Sequence, residues 1–212
     1  MKKIKTLIFM FMATVLSKCL ALVRTIIFAN YFGTGSEANA YFAASNILLQ
    51  FLEIFMLSVI CSSFIPIYSK IEVESGRKEA IKYSNNFMNV ISFIAIIISI
   101  LGIILAPYIV KVITPGFDSS TYDLTVSLLR ILFPTIILGA MAYVCVAFLQ
   151  SNFEFNIPNL ISAIFNIIMI IYLLLFSSKY GIFGLAVAMV LGWLGQVLFQ
   201  VPWIIKHGYR FK

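Results

Sequence analysis

Between Lys82 and Lys111 the chain reads YSNNFMNVISFIAIIISILGIILAPYIV, residues 83–110, without a single charge. A helix needs roughly 20 apolar residues to cross a hydrocarbon core, and this run exceeds that. The intervals Arg130 to Glu154, Glu154 to Lys179 and Lys179 to Lys206 repeat the pattern, each enclosing more than twenty uncharged, largely apolar residues. Composition agrees: of 212 residues 62% are apolar and 11% charged, with a mean hydropathy of +1.04. Soluble domains run at about 45–50% apolar and 25% charged. The sequence therefore predicts an all-α, polytopic membrane protein, a bundle of six transmembrane helices forming a single membrane domain over residues 1–212.

Working outward, the predicted helices are 6–32, 38–69, 86–112, 122–150, 158–176 and 182–205. The first stops at Gly33-Thr34-Gly35-Ser36, where two glycines and small polar residues end a helix cheaply. Lys70 to Lys82 reads as a charged, solvated connection. Thr114-Pro115-Gly116-Phe117-Asp118-Ser119-Ser120 is turn chemistry followed by a capping cluster. Pro107 is a predicted kink, and Pro134, Pro158 and Pro202 are kinks or helix starts. The amino terminus, Lys2-Lys3-Ile4-Lys5 before an apolar run, imitates a signal peptide. The run continues past Lys18 and Arg24 to Phe32, longer than such a leader's apolar core, so it is read as the first span.

The formal charge of +7 is spread between apolar runs and not gathered on one stripe, which argues against a nucleic-acid footprint. The basic residues instead follow the positive-inside pattern. Lys2, Lys3, Lys5, Lys70, Arg77, Lys78, Lys82, Lys206, Arg210 and Lys212 fall on one side and Lys111 and Lys179 on the other. Both termini are expected in the cytoplasm, and the membrane is the expected partner. Cys19, Cys61 and Cys145 lie in apolar stretches with no metal-ligand spacing and are read as buried apolar fillers.

Ionisable residues within a span cost at least roughly 2.5–3.5 kcal/mol each on insertion scales, so they are candidates for function. Lys18, Arg24, Glu53 and Arg130 qualify. Lys18 and Arg24 are six residues apart, about 120° around the axis and about 9 Å along it, flanking Ala21. With Ser17 and Thr25 they would make a polar wall suited to an anionic headgroup, above all a pyrophosphate, because arginine grips phosphate oxygens with two donors. The alternative is that the two cations snorkel to the interface or pair with Glu53. Glu53 stands open between proton or ion coupling, ion partner and counter-charge. Arg130 reads as an interfacial anchor near the start of the fourth span.

Gly184, Ala188, Gly192 and Gln196, with Gly195 nearby, form a small-residue stripe on the last helix, read as a packing surface. Asn85, Asn86, Asn152, Asn156, Asn159 and Asn166 could bond across helices. One histidine, His207, lies in the basic tail, and no nucleophile set, glycine-rich phosphate loop or metal-spaced cluster stands out. An enzyme is therefore not expected. No cofactor is expected either; coupling to the membrane potential or to a monovalent ion stays open. Moving a substance across the membrane is the function class left.

The residues also resemble a family. Ser17-Lys18 through Arg24, Phe32-Gly33-Thr34-Gly35 and Ala38-Asn39-Ala40-Tyr41-Phe42 look like the MurJ/MviN pattern Ser-Arg-x-x-Gly-x-x-Arg-Asp, Phe-Gly-x-Gly and Asp-Ala-Phe-Phe. Phe64-Ile65-Pro66-Ile67, Ala106-Pro107, Pro115-Gly116-Phe117-Asp118, Phe133-Pro134, Pro158 and Gly208-Tyr209-Arg210 continue the likeness in order and spacing. Lys18 stands where that pattern has arginine, and Thr25 and Asn39 where it has aspartates. Leu52 and Glu53 stand where it has a basic pair.

The resemblance implies one lobe of a MATE-like transporter that flips a lipid-linked peptidoglycan precursor, lipid II, by alternating access in the bacterial cytoplasmic membrane. It implies that Arg24 contacts the anionic part of that substrate, with Lys18, Ser17 and Asn39 beside it. That family has about fourteen spans in two lobes. This chain is therefore expected to be a fragment, a split gene product, or a lobe that works as a parallel dimer with itself or with a second half. The alternatives are an exporter of another polyprenyl-linked glycan and an inactive lobe acting as a structural partner.

Overall fold

The computed structural model describes residues 2–53 and 58–209. They form α1 (Lys2–Phe32), α2 (Ser36–Leu52), α3 (Ser58–Ser75), α4 (Arg77–Ile113), α5 (Ser119–Leu132), α6 (Thr135–Ser151), α7 (Asn156–Leu175) and α8 (Ser177–Lys206). Four of these helices are long and apolar enough to cross a membrane, and a fifth crossing arises if α5 and α6, bent by 41°, make one broken span. The chain is a multi-pass membrane protein. The predicted span 38–69 runs as α2 and α3 and includes residues 54–57, outside the described ones, so the count of six stays a sequence expectation.

Two boundaries differ from the sequence reading. The predicted fourth span, 122–150, is two helices that meet at Phe133-Pro134. Proline cannot continue the backbone ladder, and the Phe133 ring, fully buried, is lodged against Gly102 of α4, which fixes the bend. The stretch 70–82, expected as a solvated connection, is helical on both sides of Gly76. Gly76 has φ +86°, a backbone conformation that a side chain would resist, and it lets α3 turn directly into α4. Exposed pairs Lys70–Glu74, Arg77–Glu72 and Lys82–Glu79 decorate this turn, each weak in water.

Arg77 also ties one end of the bundle together. Its guanidinium donates to the Asn152 side chain at 3.0 Å and to the His207 carbonyl at 2.7 Å. The α3–α4 turn, the α6–α7 turn and the end of α8 are thereby held at one end. At the other end, the Asp118 carboxylate accepts from the backbone amides and hydroxyls of Ser120 and Thr121 and caps α5. Those bonds hold its carboxyl well below the usual carboxylate range. Its stabilising effect is therefore complete above the ordinary value and is lost only as pH falls through the lowered one.

Inside the bundle, packing is close because the helices have few side chains between them. The stripe on α8 behaves as read: Gly192 lies under the Phe165 ring, Gly184 against Tyr172 and Gly195 against Ile168 of α7. Without a hydrophobic driving force in lipid, such backbone approach supplies van der Waals contact. α7 in turn carries α1, whose remaining face of Leu7, Phe11, Leu22 and Ile26 is exposed. A second core column runs Phe64, Tyr68, Phe148, Tyr209, with ring centroids 5.1 to 5.7 Å apart. Cys145 is buried as expected, whereas Cys19 is exposed on α1, and the Cys61 side chain lies outside the described ones.

The Gly102 contact leads to a stability prediction. Gly102→Ala puts a methyl group onto the Phe133 ring and should destabilise the protein by about 1–3 kcal/mol. Gly116→Ala, whose added methyl meets nothing within 4 Å, should change little. Thermal unfolding in detergent would show the difference, and equal melting of the two variants would refute the packing described.

Candidate functional site

Residues from α1, α2, α6, α7 and α8 enclose a cavity of about 720 Å³. Its wall on α2 is a regular stripe: Phe42, Ser45, Asn46, Leu49 and Glu53, spaced to share one helix face. The α7 wall is another, Asn159, Ser162 and Asn166, with Phe165 beside it. α1 contributes Thr14, Ser17, Lys18, Ala21, Arg24, Thr25 and Phe28. The wall thus carries its polar groups among apolar ones such as Leu49, Phe165 and Met169, at spacings that gather them on the cavity side of their helices.

Arg24 is half-buried, and its guanidinium stacks 5.6 Å from the centroid of the Phe165 ring. An aromatic face holds a cation in place without neutralising it, at a gain of about 0.5–2 kcal/mol according to desolvation. Among the described residues neither Arg24, Lys18 nor Glu53 enters an ion pair. The structural pairing weighed from the sequence, Lys18 or Arg24 with Glu53, is therefore not the arrangement found. Lys18 and Glu53 are exposed to the cavity they line.

Ser17 lines the cavity too, buried at the α1–α7 seam, where the Asn166 side chain donates to its carbonyl at 3.4 Å. The Ser17 hydroxyl, the Asn166 side-chain oxygen and the Trp193 Nε1 are buried without hydrogen-bond partners among the described residues. Asn39, expected with the substrate-contacting set, is exposed and does not line the cavity. It shares the helical face of Asn46 and Glu53 but stands in the first turn of α2. Phe28 packs on Phe42, Tyr41 and Phe32 at 4.9, 5.6 and 5.2 Å, and with Phe42 and Tyr41 lines the cavity.

Arg130 lies apart from the cavity. It sits in the last turn of α5, about three turns from the start where the sequence reading put it, and its Nε donates to the Ile103 carbonyl at 3.4 Å. Phe165 was missed from the sequence because an aromatic in an apolar run carries no mark of its own. The polar spacing of Asn159, Ser162 and Asn166 was the available signal.

Solvent access separates a wet cavity from a lipid-facing surface. In a background free of the native cysteines, Asn46→Cys should react with a membrane-impermeant maleimide, whereas Val23→Cys on the outer face of α1 should not. Equal labelling of the two positions would contradict the cavity described.

A family model described as "Lipid II flippase MurJ" matches residues 28–212 of the chain. A protein named "Lipid II flippase MurJ" from Thermosipho africanus is 31% identical over 199 residues, covering 94% of this chain and 41% of its own length. A "Probable lipid II flippase MurJ" from Buchnera aphidicola subsp. Acyrthosiphon pisum is 30% identical over 210 residues, covering 97% of this chain and 41% of its own. The chain thus spans about two-fifths of the length of these curated relatives.

Among solved structures, one described as "Lipid II flippase MurJ, inward closed conformation" superposes with a TM-score of 0.81 at 31% identity. It covers 97% of this chain and 43% of its own. A MOP superfamily transporter from Pyrococcus furiosus superposes with a TM-score of 0.72 over 93% of this chain and 44% of its own; at 14% identity it shows a shared fold.

Proposed function

We propose, from the premise that this chain belongs to the lipid II flippase MurJ family, that it forms the amino-terminal lobe of a lipid II flippase in the bacterial cytoplasmic membrane. A second lobe, either a downstream half or a second copy, completes the pathway, and substrate sites of such paired transporters lie between the repeats. Both termini face the cytoplasm, the side richer in lysine and arginine. The substrate is the undecaprenyl-pyrophosphate-linked precursor. Its polyprenyl tail stays in lipid while its polar head needs a water-filled passage.

The observation that carries this reading is the unpaired Arg24 guanidinium, stacked on Phe165 in the wall of a cavity that Lys18 also lines. Arginine stays charged, and its planar fork presents two parallel donors to phosphate oxygens. Lys18 adds a point charge that tolerates a shifting ligand. Ser17 supplies a hydroxyl on the same wall, and Asn39, near the start of α2, meets the substrate outside the cavity. Alternating access of the two lobes exposes this wall to either side in turn, driven by the membrane potential or a monovalent ion.

Titration of the chain in lipid nanodiscs with undecaprenyl pyrophosphate tests the assignment. Arg24→Ala should weaken binding by about tenfold to a hundredfold, the range of one or two hydrogen bonds to a charged group. Arg24→Lys should retain part of the affinity, because charge survives and the two-pronged grip does not. Equal affinities of all three proteins would overturn the role of Arg24, and with it the flippase reading.

A further inference from the structure

The cavity holds both signs of charge. Apart from the phenols Tyr41 and Tyr143, the ionisable side chains lining it among the described residues are Lys18 and Arg24 on α1 and Glu53 at the end of α2. Glu53 is the C-cap residue of α2. It continues the cavity stripe of Phe42, Ser45, Asn46 and Leu49, and it is exposed. A purely anionic ligand would gain on α1 and lose against this carboxylate. A ligand carrying an ammonium as well would gain at both.

The spacing narrows the ligand further. Arg24 lies eight residues before the end of α1, about 12 Å in from the α1–α2 turn, and Glu53 lies seventeen residues after the start of α2, about 26 Å in. Lys18, fourteen residues before the end of α1, lies about 21 Å in, so Glu53 is about 5 Å in depth from Lys18 and about 14 Å from Arg24. A ligand that reaches Arg24, Lys18 and Glu53 together needs a head spanning about 14 Å, with phosphate toward Arg24 and Lys18 and an amine toward Glu53.

We propose that Glu53 is a specificity residue that takes a primary ammonium of the same lipid-linked ligand whose phosphates lie on Arg24 and Lys18. This rests on the reading of the cavity given above. The ammonium belongs either to an amino-acid side chain in the head or to an amino sugar, and both present the same donor to the carboxylate.

Binding to the chain in nanodiscs separates these cases. The first probe is an undecaprenyl-pyrophosphate disaccharide peptide with a free lysine amine, paired with the same molecule acetylated on that amine. The second is a peptide-free disaccharide with a free glucosamine amine, paired with its N-acetyl form. At least one free amine should bind about twofold to fivefold tighter than its acetylated twin, the size of one exposed charge pair. The pair that responds identifies the source of the amine.

Glu53→Gln should erase that preference and Glu53→Asp should keep part of it, whereas Arg24→Ala should weaken both members of a pair alike. A preference absent from the native protein, or surviving in Glu53→Gln, would overturn the assignment while leaving Arg24's role intact. Failure of every probe, undecaprenyl pyrophosphate included, would overturn both.

Discussion

A guanidinium cannot shed its charge inside a membrane, and the surroundings of Arg24 follow from that constraint. Lipid will not solvate it, and no carboxylate among the described residues pairs with it. What remains is a cavity lined in part by polar groups, and an aromatic face. Both are present, with Phe165 behind the guanidinium and the polar wall of α2 and α7 around it.

That arrangement is built by packing several helices away. Gly192 on α8 has no side chain, so the Phe165 ring of α7 can settle against the backbone there. Trp193 meets the same ring at 6.1 Å, edge to face, and holds its tilt. Phe165 then offers a fixed face to Arg24 across the α1–α7 contact. A small-residue stripe that looks purely structural in the sequence thus sets the position of the Arg24 guanidinium in the wall.

The parts of the fold legible in the sequence were those that lipid enforces. Charge-free intervals marked the spans, and glycine spacing marked the α7–α8 seam, because both respond to a single strong rule. The broken span at Phe133-Pro134 and the helical continuation through 70–82 depend on tertiary contacts. The seat for the Phe133 ring at Gly102 is thirty-one residues away along the chain, and the Arg77 ties reach Asn152 and His207. Of the candidate site, Arg24, Lys18, Ser17 and Glu53 were legible as polar groups within apolar runs. Asn39 was read from the family resemblance alone; it stands in the first turn of α2, seven residues before Asn46, and does not line the cavity.

The central claim is that the Arg24 guanidinium faces water and not acyl chains. Water-edited solid-state NMR of the chain in lipid bilayers, with labelled arginine and Arg24→Lys to assign the signal, measures this directly. The account predicts rapid magnetisation transfer from water to the Arg24 guanidinium carbon and a through-space contact to the Phe165 ring. Transfer from lipid acyl protons instead, without the ring contact, would contradict it.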